Sequence, residues 1–240
     1  MLKTLSKELQ ELYQTMQKCT ECKLGKEGQN KPKPGERYWR QHGWGKETDL
    51  VIIGMNPTSG RNGDPDGIPW GRPTLSGMPF NDTYLHWALR NLGWCDCEDL
   101  GKCEHRWYQT NIVKCCTSDN QLIFPRDKEF IQPCMKNFLL KELKLLKPKA
   151  ILLMGKTVGP SFGFKIIPDI RNSKEVFPFY DRTSLADTDM GINSVVGIIN
   201  HSNYWRKGTR LTEPKKEKVK EYIGQIQPIL ERAKLKLTSR

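Results

Sequence analysis

Apolar residues recur along the chain at two spacings. Leu5, Leu9, Leu12 and Met16 stand three or four apart and form one stripe of an amphipathic helix that runs into Cys19. Asp49 to Ile53 reads as a short buried strand closing on Gly54-Met55-Asn56-Pro57. Helical spacing returns in Tyr84, Leu85, Ala88, Leu89 and Leu92 behind a capping Asn81 or Asp82, and a short strand fits Thr110 to Lys114. Phe130, Ile131, Cys134, Met135, Phe138 and Leu139 predict another helix, which Lys147-Pro148-Lys149 separates from the apolar strand Ala150 to Met154. Ser194 to Ile199 supplies a further strand ending at His201. Val219, Tyr222, Ile223 and Ile226 mark a basic terminal helix, about residues 214–235, bent or ended near Pro228.

Two stretches follow neither period. Gly25 to Glu47 is polar, rich in Lys, Gly and Pro, and interleaved with Tyr38, Trp39 and Trp44; Pro57 to Pro79 is a Gly- and Pro-rich loop. Basic and aromatic residues together can grip a nucleic-acid strand by phosphate pairing and stacking, or simply pack onto the domain. Strands alternating with helices predict a single α/β domain over residues 1–240. Its architecture is a three-layer α/β/α sandwich with a mostly parallel central sheet and its working residues beyond the strands' carboxyl ends. A chain of 240 residues suits one such domain, whose N-terminal segment of about residues 1–48 carries the first cysteines.

Charge changes the picture. Lys and Arg number 39 against 27 Asp and Glu, a formal charge of +12 that attracts a polyanion and makes nucleic acid the leading partner class, with a surface serving only solubility as the alternative. No apolar run approaches the roughly 20 residues that span a bilayer, and the N-terminus shows no secretory apolar core. A soluble intracellular monomer is expected, cytoplasmic or nucleoid-associated, with no membrane partner. Eight cysteines in a reducing compartment point to metal ligation more than to disulfides.

The spacing of those cysteines makes two sets. Cys19-Thr-Glu-Cys22 lets two thiolates converge, and Cys115 and Cys134 can complete four ligands. An iron–sulfur cluster, structural zinc and unliganded thiols all fit that spacing. Cys95, Cys97, Cys103 and His105 form a second tetrad that zinc could accept, although it lacks a standard finger spacing.

From about Cys19 to about Arg206 the sequence resembles the iron–sulfur uracil-DNA glycosylases. The resemblance rests on Cys19-x-x-Cys22 followed by Lys23-Leu24, on Thr110-Asn111-Ile112-Val113-Lys114-Cys115, and on Pro133-Cys134 with Phe138-Leu139 beyond. It continues through Leu146-Lys147-Pro148-Lys149-Ala150-Ile151-Leu152-Leu153-Met154-Gly155. It implies a uracil-DNA glycosylase-like fold and a structural four-iron four-sulfur cluster on Cys19, Cys22, Cys115 and Cys134, with zinc in the same ligands as the alternative. The implied substrate is DNA containing uracil or another damaged base, and the implied activity is monofunctional hydrolysis of the N-glycosidic bond to leave an abasic site.

The pocket segments depart from that family. Gly54-Met55-Asn56-Pro57 looks more like the corresponding segment of single-strand-selective monofunctional glycosylases. By that resemblance Gly54 and Met55 contact the base and Asn56 orients the attacking water through its amide oxygen; an Asn chosen only to turn the chain before Pro57 is the plainer alternative. Phe80, in Gly77-Met78-Pro79-Phe80, would stack on the extruded base, and Asn111 would read the pyrimidine edge. His201-Ser202-Asn203 stands where the family has His-Pro-Ser. His201 would donate to the carbonyl oxygen on which charge gathers as the base leaves. Ser202, Tyr204, Trp205, Arg206 and Lys207 would face DNA, as wedge and phosphate contacts. The altered Asn56 and His201 segments also admit a catalytically weak DNA-binding member of the fold, or one in which His201 captures the sugar covalently.

Overall fold

Parallel strands buried on both faces read as continuous apolar runs, and three such runs form the middle of the sheet. The computed structural model describes residues 7–26, 36–37, 48–56, 84–94, 107–115, 123, 126–155, 158–162, 179–180, 194–199 and 216–235. In chain order its strands are β1 (Glu36–Arg37), β2 (Leu50–Gly54), β3 (Trp107–Asn111), β4 (Ala150–Met154), β5 (Phe179–Tyr180) and β6 (Val195–Ile199). They lie side by side as β1-β3-β2-β4-β6-β5. The four inner strands are parallel to their neighbours, and the two-residue strands β1 and β5 pair antiparallel at the edges. Every residue of β2, β4 and β6 is buried.

Successive strand residues face opposite sides, so the sheet divides the apolar core in two. Val51, Ile53, Ile151, Leu153, Val196 and Ile198 face one layer of helices. That layer contains α1 (Lys7–Gln17), α2 (Lys23–Lys26), α4 (Lys128–Cys134), a π-helical turn (Met135–Leu139), α5 (Leu140–Leu146) and α6 (Val158–Ser161). Leu50, Ile52, Leu152, Met154, Val195 and Ile199 face α3 (Tyr84–Asn91) and a long terminal helix α7 (Lys216–Arg232). Tyr84 of α3 stacks on Tyr222 of α7 with ring centroids 6.1 Å apart. At Gly197 of β6 an added Cβ would overlap the end of the Ile229 side chain, so the absence of a side chain there lets α7 lie directly on the sheet. The three-layer α/β/α arrangement with a mostly parallel sheet is the expected one.

Three details differ from the sequence reading. The third strand runs from Trp107 to Asn111, where Thr110 to Lys114 is expected. Its start is set by pairing, Leu50 lying opposite Trp107, and beyond Asn111 the chain stays tied to β2 and the residue after it through Ile112 N–H to Gly54 O and Val113 N–H to Met55 O, both 2.9 Å. The terminal helix does not end at Pro228 but continues to Arg232. Val219, Tyr222 and Ile226 before the proline and Ile229 and Leu230 after it bury against the same core, and that packing outweighs the one hydrogen bond the proline removes. The helix expected around Phe130 to Leu139 is interrupted by the π turn, in which Leu140 N–H bonds Met135 O. It ends at Lys147, whose left-handed conformation (φ 47°) lets its N–H reach Leu143 O before Pro148.

Candidate functional site

The parallel strands bring several of the predicted pocket residues to one edge of the sheet. Gly54 and Asn111 are register partners at the carboxyl ends of β2 and β3, so the Met55-Asn56 segment leaves the sheet beside the end of β3. Met55 and Asn111 are buried and Asn56 is half-buried. The Asn56 side-chain oxygen accepts the Ile123 backbone N–H at 3.2 Å, which fixes the amide's orientation. An amide oxygen can accept two hydrogen bonds, so holding Ile123 is compatible with holding a water as well. β6 ends at Ile199, two residues before His201, on the same edge. Phe80, His201, Ser202, Tyr204, Trp205, Arg206 and Lys207 lie outside the described residues, as do Cys95, Cys97, Cys103 and His105 of the second tetrad.

The four cysteines of the first set come from three parts of the chain and lie on one side of the sheet. Cys19 and Cys22 sit in the turn between α1 and α2, Cys115 just past β3, and Cys134 at the end of α4, all within or against a single apolar cluster. None is in a disulfide. Cys22, Cys115 and Cys134 are 9%, 2% and 4% exposed, whereas Cys19 is half-exposed. The turn is held tightly: a Cβ at Gly25 would stand 2.6 Å from the Cys19 carbonyl oxygen, which only a glycine allows. Among the described residues, no three His, Cys, Asp or Glu side chains converge as they would around a single metal ion.

Electrostatics link three of those thiols. Burial pushes the Cys134 thiol up to about 11; the Lys114 backbone N–H and ammonium pull the other way, and the nearby Cys22 and Cys19 add to the rise. Burial also raises Cys19, with Cys22 contributing. Burial thus favours the neutral, protonated form of both thiols.

Behind the cysteines lies a buried polar network that the sequence reading missed. Lys114 and Glu142 are 1% and 0% exposed and form an ion pair at 2.5 Å. The Lys114 ammonium also donates to the Thr110 hydroxyl at 2.5 Å, and the second Glu142 oxygen accepts from the Tyr108 hydroxyl at 3.0 Å. Thr110 bonds Glu142 at 3.1 Å, and the Tyr13 and Tyr108 hydroxyls meet at 2.5 Å, so the network ties α1, β3 and α5 together. Burial, then the Glu142 charge, drives the Tyr108 phenol well above its ordinary pKa. A signal was present: Lys114 is a cation at the end of an apolar run, and Glu142 shares helical spacing with Leu139 and Leu146.

The model of the uracil DNA glycosylase superfamily matches residues 42–224, a span that includes β2, β3, β4 and β6 with their carboxyl ends. No curated protein matches the chain. Among the described residues, no helix is long and apolar enough to cross a membrane.

Proposed function

Because the chain belongs to the uracil DNA glycosylase superfamily, whose members are glycosylases acting on DNA, we propose that it hydrolyses the N-glycosidic bond of uracil in DNA and leaves an abasic site. The observation that carries this reading is the register of Gly54 with Asn111. It sets a buried amide beside the Met55-Asn56 segment at the sheet edge where α/β proteins bind ligands. An extruded pyrimidine needs a partner that both donates and accepts at its edge, and the Asn111 amide does both. Asn56, oriented by Ile123, holds the attacking water through its oxygen; it positions the water without acting as a base. His201, two residues past β6, donates a hydrogen bond to the uracil oxygen as the base departs with its negative charge. Phe80 stacks on the base. Tyr204 and Trp205 wedge the duplex, with Ser202, Arg206 and Lys207 on phosphates.

Cys19, Cys22, Cys115 and Cys134 hold a four-iron four-sulfur cluster in this reading. The paired spacing of Cys19 and Cys22 with two further cysteines supplies the four thiolates such a cluster takes, and a structural zinc would take the same four. Such a cluster fastens the α1–α2 turn to the end of β3 and to α4, and hydrolysis needs no change in its oxidation state.

The test is an assay on uracil-containing duplex and single strands, followed by alkaline cleavage. Strand scission at the uracil position is the expected result. Intact DNA with tight binding would favour a non-catalytic member of the fold, and a protein–DNA band surviving denaturation would show covalent capture.

A further inference from the structure

Glu142 grips the chain on both sides of Asn111. Its carboxylate, fully buried on α5, takes the Thr110 hydroxyl at 3.1 Å just before Asn111 and the Lys114 ammonium at 2.5 Å just beyond it. Lys114 also donates to the Thr110 hydroxyl, which closes a ring of contacts around the segment. Tyr108, on the same face of β3 as Thr110, bonds the other carboxylate oxygen at 3.0 Å. The main chain of the segment is meanwhile tied to Gly54 and Met55 through the Ile112 and Val113 N–H groups. Asn111 is therefore held by a side-chain clamp from α5 and a backbone tie to the end of β2.

Successive strand residues point to opposite faces of a sheet, so anchoring Tyr108 and Thr110 fixes the roll of β3 about its axis and with it the direction of the Asn111 side chain. Stability alone does not call for such groups, because apolar side chains of similar volume commonly replace a buried ion pair at no cost. Hydrogen bonds add direction: they weaken steeply off their axis, whereas apolar contact has none. We propose that Glu142, together with Lys114, is a positioning residue for base recognition that acts through Asn111 from within the core. This rests on the reading of Asn111 given above. An amide that must donate and accept at one pyrimidine edge needs both angles right, so a small turn of β3 costs recognition.

The experiment is a double-mutant cycle in the full chain between Asn111→Ala and the apolar pair Lys114→Met with Glu142→Leu. Single-turnover hydrolysis of uracil-containing DNA at saturating enzyme is read beside the urea midpoint and the affinity for undamaged DNA. The apolar pair is expected to keep a midpoint close to the wild type and the same affinity for undamaged DNA, yet to slow hydrolysis by about 10- to 100-fold. Added to Asn111→Ala, the pair should slow hydrolysis by less than about twofold further, because its effect runs through the side chain already removed. Lys114→Met with Glu142→Gln, whose amide can still accept from Tyr108 and donate to Thr110, should restore most of the rate. If the apolar pair does not fold, Thr110→Val, which deletes one hydroxyl and leaves the charges paired, carries the same cycle. An apolar pair at the wild-type rate, or one whose cost adds in full to that of Asn111→Ala, overturns the inference and leaves the Asn111 reading standing. Asn111→Ala at the wild-type rate, or a wild type that leaves uracil in place, overturns both.

Discussion

Asn56 and Asn111 are amides at neighbouring strand ends, yet their surroundings give them different work. Asn111 is buried beside Gly54 and is the residue proposed to read the base, while Asn56 is half-buried, held by Ile123, and is the one proposed to position the water. Asn56→Ala is therefore expected to slow single-turnover hydrolysis at saturating enzyme by about 100-fold, with affinity for undamaged DNA unchanged. Lys114 carries a different consequence, since removing one member of a buried ion pair leaves the other charge unmatched. Lys114→Met should cost about 3–5 kcal/mol in urea denaturation, and adding Glu142→Leu should recover most of it. The Tyr108 phenol, raised by burial and by Glu142, favours the folded state in its neutral form. That contribution is complete below the unfolded tyrosine pKa of about 10 and is lost as pH rises through the folded value. Urea midpoints of the wild type should accordingly fall more steeply above about pH 10 than those of Tyr108→Phe. At this scale the sequence showed which residue types could do the chemistry. It could not show that Ile123 holds Asn56, because that bond joins residues 67 apart through a backbone group with no side-chain signature.

Elements were legible where apolar runs have sharp ends. β2, β4 and β6 fall within one residue of the expected strands because polar residues or glycine bound each run. β3 was misplaced by three residues because its limits come from pairing with β2, and local composition is silent about that. The π turn was invisible for another reason: apolar residues at Phe138 and Leu139 satisfy a helical period with or without the extra residue per turn. Its effect is geometric. In an α-helix, residues four apart drift by about 40° around the axis, and the wider π turn sets that drift back. Cys134, Phe138, Glu142 and Leu146 thereby all remain buried, which aligns the thiol with the ion pair. Deleting Lys136, which is exposed, should remove the setback and lower Tm far more than Lys136→Ala does. In α7, Pro228→Ala restores a donor to a helix the packing already maintains, and should raise stability by about 1–3 kcal/mol in the same denaturation assay.

For the whole molecule, alternating strands and helices were enough to foresee the layers, because a parallel sheet covered on both sides is the arrangement that buries such runs. The +12 charge likewise pointed to a polyanion without locating the face that meets it. Affinity for DNA should fall linearly on a logarithmic salt axis, and Arg206→Ala should reduce the slope by about one, as expected of a single phosphate contact. The division of the core by the sheet reaches further than architecture. All four thiols belong to one half, with α1 and α4, while α3 and α7 pack in the other. On the proposed cluster reading, protein prepared without iron would lose cooperativity unevenly: amide protons of α1 and α4 would exchange quickly, while those of α3 and α7 stayed protected. Such a half-settled chain would be open to proteases, so the proposed cluster would act on the lifetime of the protein as well as on its stability.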